Sequence, residues 1–354
     1  MNHALLLVTL GIGSFVCALL LVPLAQRVAL LYGVTDKPAA HKLHADPTPY
    51  LGGVAIGLTA LAASAFLESW SVQAAVIILG ALLVGTVGLI DDVRTVRPSI
   101  RLVVEAGAAI MAAAVGARVH LFGGPADWVV TVVCLVIVTN AFNLLDNMDG
   151  AVGIIAAVSA VALTVAAGLQ DQWLVGGLAA VVAGSCVGFL RYNWHPARIF
   201  MGDAGSLLLG YLLATIALKL RFPVDHPASL SAVVLLLGAA LFDTTLVVIA
   251  RVRSGRRIYM GATDHTSHRL LRLGLSTRAV ACLLATGCIA STALGVAIGR
   301  GAIDPQWALP PLIVVVVGLL VALLRLPDGV SSETQPEDDP LRGNVELTAE
   351  VGSA

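Results

Sequence analysis

The sequence is 354 residues long, 58% hydrophobic and 12% charged, with a formal net charge of −1 and a mean hydropathy of +0.92. A soluble domain carries about 25% charged residues, so an ordinary water-soluble enzyme is excluded, and so is a disordered chain, which would be poor in apolar residues. No nucleic-acid partner is expected of this charge balance; the composition is that of an all-α polytopic membrane protein.

Taken in order, eleven apolar stretches are bounded by charges or Pro/Gly clusters: 4–26, 51–67, 74–90, 100–116, 128–142, 151–169, 173–190, 205–222, 230–250, 278–299 and 307–324. About 20 residues cross a bilayer, so these predict about eleven transmembrane helices in one domain, residues 1–325. The first stretch is too long, and its lead-in too poor in Lys and Arg, for a cleaved signal. It is expected to stay attached. Residues 326–354 turn to Ser, Glu, Asp and Pro and read as an acidic, disordered cytoplasmic tail. All five cysteines fall inside apolar stretches, as small buried hydrophobes do.

An odd number of crossings puts the termini on opposite sides. Of the 21 Lys and Arg residues, 17 fall in loops 27–50, 91–101, 191–204 and 251–278 or in the tail. The positive-inside rule then places the N-terminus outside and the C-terminus in the cytoplasm.

The unusual polar residues share that side. They are Asp36-Lys37-Pro38 with His41-Lys42-x-His44, the pair Asp91-Asp92, and Asn140-x-x-Asn143-x-x-Asp146-x-x-Asp149-Gly150. After them come Phe200-Met201-Gly202-Asp203 and Asp264-His265-x-x-His268-Arg269. Adjacent carboxylates near a low-dielectric boundary repel each other unless a cation is shared. Mg²⁺ is the natural one, with Mn²⁺ as the alternative, because it takes oxygen ligands and bridges carboxylates to phosphates. Asp203 could cap the helix that follows it or supply a third oxygen to the cation of Asp91 or Asp92. The spacing of three from Asn140 to Asp149 drifts around a helix, so the helix is expected to end or tighten near Asn143, with Asp146 and Asp149 on the next turn. Polar groups this close to hydrocarbon are functional candidates. Glu105, midway along its stretch, is expected to be satisfied by a neighbouring helix, and Asp243 to support the site from behind.

In this order the motifs resemble those of the polyprenyl-phosphate N-acetylhexosamine-1-phosphate transferases, a family that includes the phospho-MurNAc-pentapeptide translocase of peptidoglycan synthesis. The match runs from Asp36 to Arg272. The segment Asp36-Lys37-Pro38 to Gly52-Gly53, and Arg191-Tyr192-Asn193 leading into Asp203, are closer to the GlcNAc-1-phosphate branch. Thr263 to Leu270 also follows that branch, with Ser267 in place of one histidine.

The resemblance implies Mg-dependent transfer of GlcNAc-1-phosphate from a UDP-N-acetylhexosamine to undecaprenyl or decaprenyl phosphate, releasing UMP, at the cytoplasmic face of a bacterial inner membrane. It implies Asp203 with Asn143, or with Asp91 and Asp92, as metal ligands. Asp91, Asp92, Asp146 and Asp149 become the catalytic carboxylates, one of the first pair serving as base. Asn140, Asn143 and Phe200 become substrate contacts, Phe200 by stacking on uracil, and Lys42, His44, His265, His268 and Arg269 bind diphosphate or sugar. Membrane lipids are partners, with a second copy of the chain as the one protein partner entertained. A secondary transporter is the rival of a different class; it would place its site near the midplane.

Overall fold

Backbone polar groups buried in hydrocarbon can be satisfied only within helices or closed barrels. The computed structural model, which describes residues 3–36, 48–66, 71–258 and 263–326, takes the helical solution. The order is α1 (His3–Tyr32), β1 (Thr35–Asp36), β2 (Thr48–Pro49), α2 (Gly52–Ser64), α3 (Val72–Val93), α4 (Pro98–Ala114), α5 (Pro125–Leu145), α6 (Ala151–Gly168) and α7 (Trp173–Asn193). It continues with α8 (Gly202–Lys219), α9 (His226–Leu236), α10 (Gly238–Arg253), α11 (Thr266–Arg272), α12 (Thr277–Gly299) and α13 (Pro305–Leu324). The two short strands form an antiparallel ladder, Thr35 opposite Pro49.

Each of the eleven apolar stretches coincides with a helix, except that 230–250 is broken into α9 and α10, bent by 76°. No proline marks that break. Gly238 lies so close to α12 that an added Cβ would sit 2.7 Å from Ser291 Oγ, and that hydroxyl donates to the Leu235 carbonyl at 2.7 Å. A side chain from a neighbouring helix thus satisfies a carbonyl at the kink. Seven of the described helices are long and apolar enough to cross a membrane, or eight with the bent pair counted as one. Helix α2 has 13 residues and α4 has 17, while α8 carries Asp203 and Lys219 at its ends.

Helix α8 is the centre of the bundle: every residue from Ala204 to Leu218 is buried, as expected of a helix apolar on all sides. It packs chiefly against α3 and α5, while α7 packs against α1 and α6. Small residues set these distances. There is no room for a side chain at Gly53 against Gly205, or at Gly88 against the backbone of Asp203. The start of α8 is thereby pressed between α2 and α3. At the other extreme, none of the α13 residues is buried. The chain shuttles between two ends. At one, α3, α5 and α7 finish and α4, α6 and α8 begin, and the polar motifs gather there.

Candidate active site

The pair Asp91-Asp92 sits in the last turn of α3, and its two carboxylates have different partners. Asp92 accepts the backbone N–H groups of Asp203 at 2.8 Å and Ala204 at 3.0 Å. These are orphan donors in the first turn of α8, so α8 is capped by a side chain from α3 and not by its own Asp203. Gly202 permits this. It has φ +72°, and a Cβ there would lie 2.6 Å from Asp92 Oδ2. Asp91 accepts the Val96 N–H at 2.7 Å and the Arg101 guanidinium at 2.6 Å.

Arg101 is the hub. A cation in the first turns of a helix opposes the helix dipole, and here three oxygens offset that cost. Arg101 Nη1 donates to Asp91 at 2.6 Å and to Asp203 Oδ2 at 3.0 Å, and Nη2 donates to Asn143 Oδ1 at 3.0 Å. The Asn143 amide in turn donates to Asp203 Oδ1 at 2.8 Å and Ser206 Oγ at 3.0 Å. Four helices, α3, α4, α5 and α8, therefore meet in one polar knot. One turn deeper, the Asn140 amide donates to Glu105 and, at 2.9 Å, to the Val136 carbonyl. Glu105 is buried, and its Oε1 has no hydrogen-bond partner among the described residues.

Helix α5 ends at Leu145, and its chain tightens there, Asp146 N–H bonding the Asn143 carbonyl at 3.2 Å. Gly150, at φ +74°, opens α6. Asp149 is held by the end of α7: it accepts His195 Nδ1 at 2.7 Å and the Ala197 N–H at 3.0 Å. Asn193 adds a clamp, accepting Gly150 N–H at 3.0 Å and donating to the Ile199 carbonyl at 2.9 Å. Asp146 is different: half-buried, it is the carboxylate of this run for which no side-chain hydrogen bond is found among the described residues. Burial first, then the negative fields of Asp203, Asp92 and Asp149, push it up to about 8.

The segment after α10 closes the group. Asp243 accepts His265 Nδ1 at 2.8 Å and the Thr266 N–H at 2.7 Å, and the Ser267 hydroxyl donates to Asn147. The last contact ties α11 to the Asp146 loop. His268 lies beside His265, ring centroids 5.7 Å apart, and its Nδ1 is buried without a partner among the described residues. Burial, then the nearby His265 and Arg272, push its pKa down to about 4, which keeps it neutral at pH 7.

The family model described as glycosyl transferase family 4 matches residues 74–221, the segment from α3 through α8 that builds the knot. A probable undecaprenyl-phosphate N-acetylglucosaminyl 1-phosphate transferase of Bacillus subtilis (strain 168) is 32% identical over 281 residues, 75% of this chain and 78% of that protein. The chain belongs to glycosyl transferase family 4. A decaprenyl-phosphate N-acetylglucosaminephosphotransferase of Mycobacterium leprae is 31% identical over 289 residues, 70% of this chain and 72% of that protein. An undecaprenyl-phosphate alpha-N-acetylglucosaminyl 1-phosphate transferase of Escherichia coli (strain K12) is 24% identical over 314 residues, covering 84% and 85%. These relatives put the chain in the GlcNAc-1-phosphate transferase branch of the family.

For this family 4 transferase the structure brings Asp91, Asn143 and Asp203 onto one cationic group, with Asp92 behind them as the helix cap and Asp146 and Asp149 on the adjoining loop. Phe200 is half-buried, its N–H donating to the Pro49 carbonyl at 2.8 Å and its carbonyl accepting Gly52 N–H at 3.1 Å. Lys42 and His44 lie outside the described residues. Arg269, expected on diphosphate or sugar, is instead fully buried. Its guanidinium donates to the carbonyls of Asp264, Leu323 and Leu326 at 2.9 to 3.0 Å, capping the end of α13. Arg101 is the member that sequence reasoning did not single out, and Asn193 and His195 are motif residues to which it gave no role in the site. Among the described residues no three His, Cys, Asp or Glu side chains form a metal-binding group; the Arg101 guanidinium lies between Asp91, Asp203 and Asn143.

Proposed function

We propose that the protein transfers GlcNAc-1-phosphate from UDP-GlcNAc to undecaprenyl or decaprenyl phosphate, releasing UMP and starting a lipid-linked envelope glycan. The observation that carries the reading is the knot of Asp91, Asn143, Arg101 and Asp203 at helix ends, with Asp146, whose side chain has no hydrogen-bond partner among the described residues, beside it, inside the segment the family model matches. A site at helix ends is where a lipid phosphate can meet a water-soluble nucleotide; a transporter would gather these groups at mid-depth.

The acceptor phosphate oxygen attacks the sugar-bearing phosphorus of the donor, one P–O bond forms, and the P–O bond to UMP breaks. Phosphoryl transfer needs positioning and charge neutralisation more than covalent help. Arg101 supplies fixed positive charge at the diphosphate, and Asp91, Asn143 and Asp203 hold its fork in place. The clamp of Asn193, His195 and Asp149 fixes the loop that presents Asp146. Asp146 and Asp203 would hold a divalent cation: both are oxygen donors, the negative field of Asp203 reaches Asp146, and an unneutralised charge in a region this rich in carboxylate is costly. Mg²⁺, when bound there, supplies further neutralisation of the transferring oxygens. Phe200, whose backbone is anchored to Pro49 and Gly52, would stack on the uracil.

The remaining topology is part of the same proposal: eleven crossings, with α2, α4 and α8 among them, the N-terminus outside and the active site cytoplasmic in a bacterial inner membrane. The test is to offer purified protein a panel of UDP-sugars with undecaprenyl or decaprenyl phosphate and to follow UMP release with and without Mg²⁺. UDP-GlcNAc should be turned over with Mg²⁺ and not with EDTA. Turnover of UDP-MurNAc-pentapeptide in preference to UDP-GlcNAc would overturn the choice of branch.

A further inference from the structure

The end of the bundle away from the active site is poor in cations, and three of its four are gathered in one place. Of the four cations the sequence leaves there, Arg118, Lys219, Arg221 and Arg300, the first three surround two adjoining hollows. One, of about 300 Å³, is lined by Arg118, His120, Arg221 and His226 with apolar Leu230 and Val233 of α9. The other, of about 330 Å³, shares Arg221 and reaches Lys219. Each volume is at the lower end of the range for small-ligand pockets.

Local bonds fix where these cations point. Arg221 donates to the carbonyls of Leu218 at 2.8 Å and Gly116 at 2.6 Å, and Lys219 donates to the Val115 carbonyl at 2.9 Å. Arg118 stands over the Trp128 ring, 5.4 Å from its centroid. These contacts use some of the donors and neutralise none of the charge: among the described residues no carboxylate pairs with Arg118, Lys219 or Arg221. The acids nearby are engaged elsewhere: Asp127 is taken by the backbone N–H groups of Leu121, Phe122 and Gly123 at 2.9 to 3.2 Å, and Asp225, beside His226, caps α9 through the Ala228 N–H at 2.8 Å. The histidines stack with ring centroids 6.2 Å apart. Burial, then the positive charge of Arg221 and Arg118, holds His120 below the usual histidine value despite the opposing pull of Asp127. The local field is therefore positive, and unpaired cations at this end run against the charge asymmetry of the rest of the chain.

We propose that the Arg118–Arg221 hollow binds the phosphate group of an anionic amphiphile in the leaflet opposite the active site, with the apolar chain lying along Leu230 and Val233. Guanidinium forks suit phosphate oxygens, and the apolar wall distinguishes this ligand from a free anion. The inference does not depend on the transferase reading.

The test uses the full chain in phosphatidylcholine nanodiscs and native mass spectrometry, titrating phosphatidylglycerol, undecaprenyl phosphate or inorganic phosphate. Wild type is compared with Arg118→Gln/His226→Gln, and with Arg118→Lys, which keeps the charge. At least a fivefold loss of phosphatidylglycerol binding in the double variant, with most of it retained by Arg118→Lys and UMP release unchanged, supports a phospholipid site. The same loss confined to a second equivalent of undecaprenyl phosphate supports the site with a polyprenyl occupant. Equal binding by wild type and double variant, or equal binding of phosphatidylcholine and phosphatidylglycerol, overturns the proposal. Inorganic phosphate competing at the amphiphile's own concentration overturns the amphiphile assignment.

Discussion

Asp146 and Arg101 respond to the same shortage of neutralisation in opposite ways. The Asp146 carboxyl is pushed up to about 8 from an ordinary 3.8, so the folded protein holds its proton more tightly than the unfolded chain does. By linkage, stability then falls as pH rises from about 4 to about 8 and levels off above that. The expected result in EDTA is an apparent Tm that declines across this window and is restored by millimolar Mg²⁺ most strongly near pH 8, since cation binding must displace the proton. Asp146→Asn should flatten the pH dependence of Tm and lower turnover by about a hundredfold or more, the scale set by loss of one transition-state charge contact. Arg101 is tested by geometry: its fork spans Asp91, Asp203 and Asn143. Arg101→Gln should cost about a hundredfold in turnover, whereas Arg101→Lys, a point charge on a flexible stem, should fall between that and wild type in the same UMP assay. Sequence alone reaches Asp91, Asn143 and Asp203, because acids and amides concentrated on one side of a membrane protein are costly to keep. It does not separate Arg101 from Arg94 and Arg97, which share its loop and its topological explanation. The resemblance puts Arg269 on diphosphate or sugar, whereas the fold turns its guanidinium onto the carbonyls of Asp264, Leu323 and Leu326, the last two contributed by the end of α13, some fifty residues away in sequence.

At the scale of elements, the start of α8 is the joint on which the site depends. Its capping carboxylate comes from α3, its approach distance from Gly53 and Gly88, and its turn from Gly202. Gly202→Ala puts a Cβ in the left-handed region and against Asp92, a strain of about 1–3 kcal/mol. The expected outcome is a lower Tm together with a turnover loss of at least tenfold, because Asp92 and Asp203 must both shift; a Tm change without a turnover change would show that the joint is structural only. Apolar periodicity finds the helices because hydrocarbon leaves the backbone no other solution. It does not find the break at Leu237, where the freed Leu235 carbonyl is satisfied by the hydroxyl of Ser291, some fifty residues later, a partner that the sequence near the break does not reveal.

At the scale of the whole molecule, charge and depth organise everything else. The knot, the Asp149 clamp and the α11 segment all stand at one end, and the Arg118–Arg221 hollow at the other, so the orientation of the bundle decides which ligands can reach each. By sequence, 17 of 21 basic residues fall in the loops and tail expected inside, so the proposed orientation, with the active site facing the cytoplasm, follows the positive-inside rule and puts the site where nucleotide sugars are available. A chain of the opposite orientation could not be supplied with donor. The orientation is open to a direct measurement. The five native cysteines are replaced, and single cysteines are introduced at Thr95, exposed between α3 and α4, or at Ala126, exposed at the start of α5. In intact cells a membrane-impermeant maleimide should modify the Ala126→Cys protein and leave Thr95→Cys unmodified until the membrane is opened. The reverse pattern would turn the molecule over and leave the cytoplasmic transferase reading without a donor.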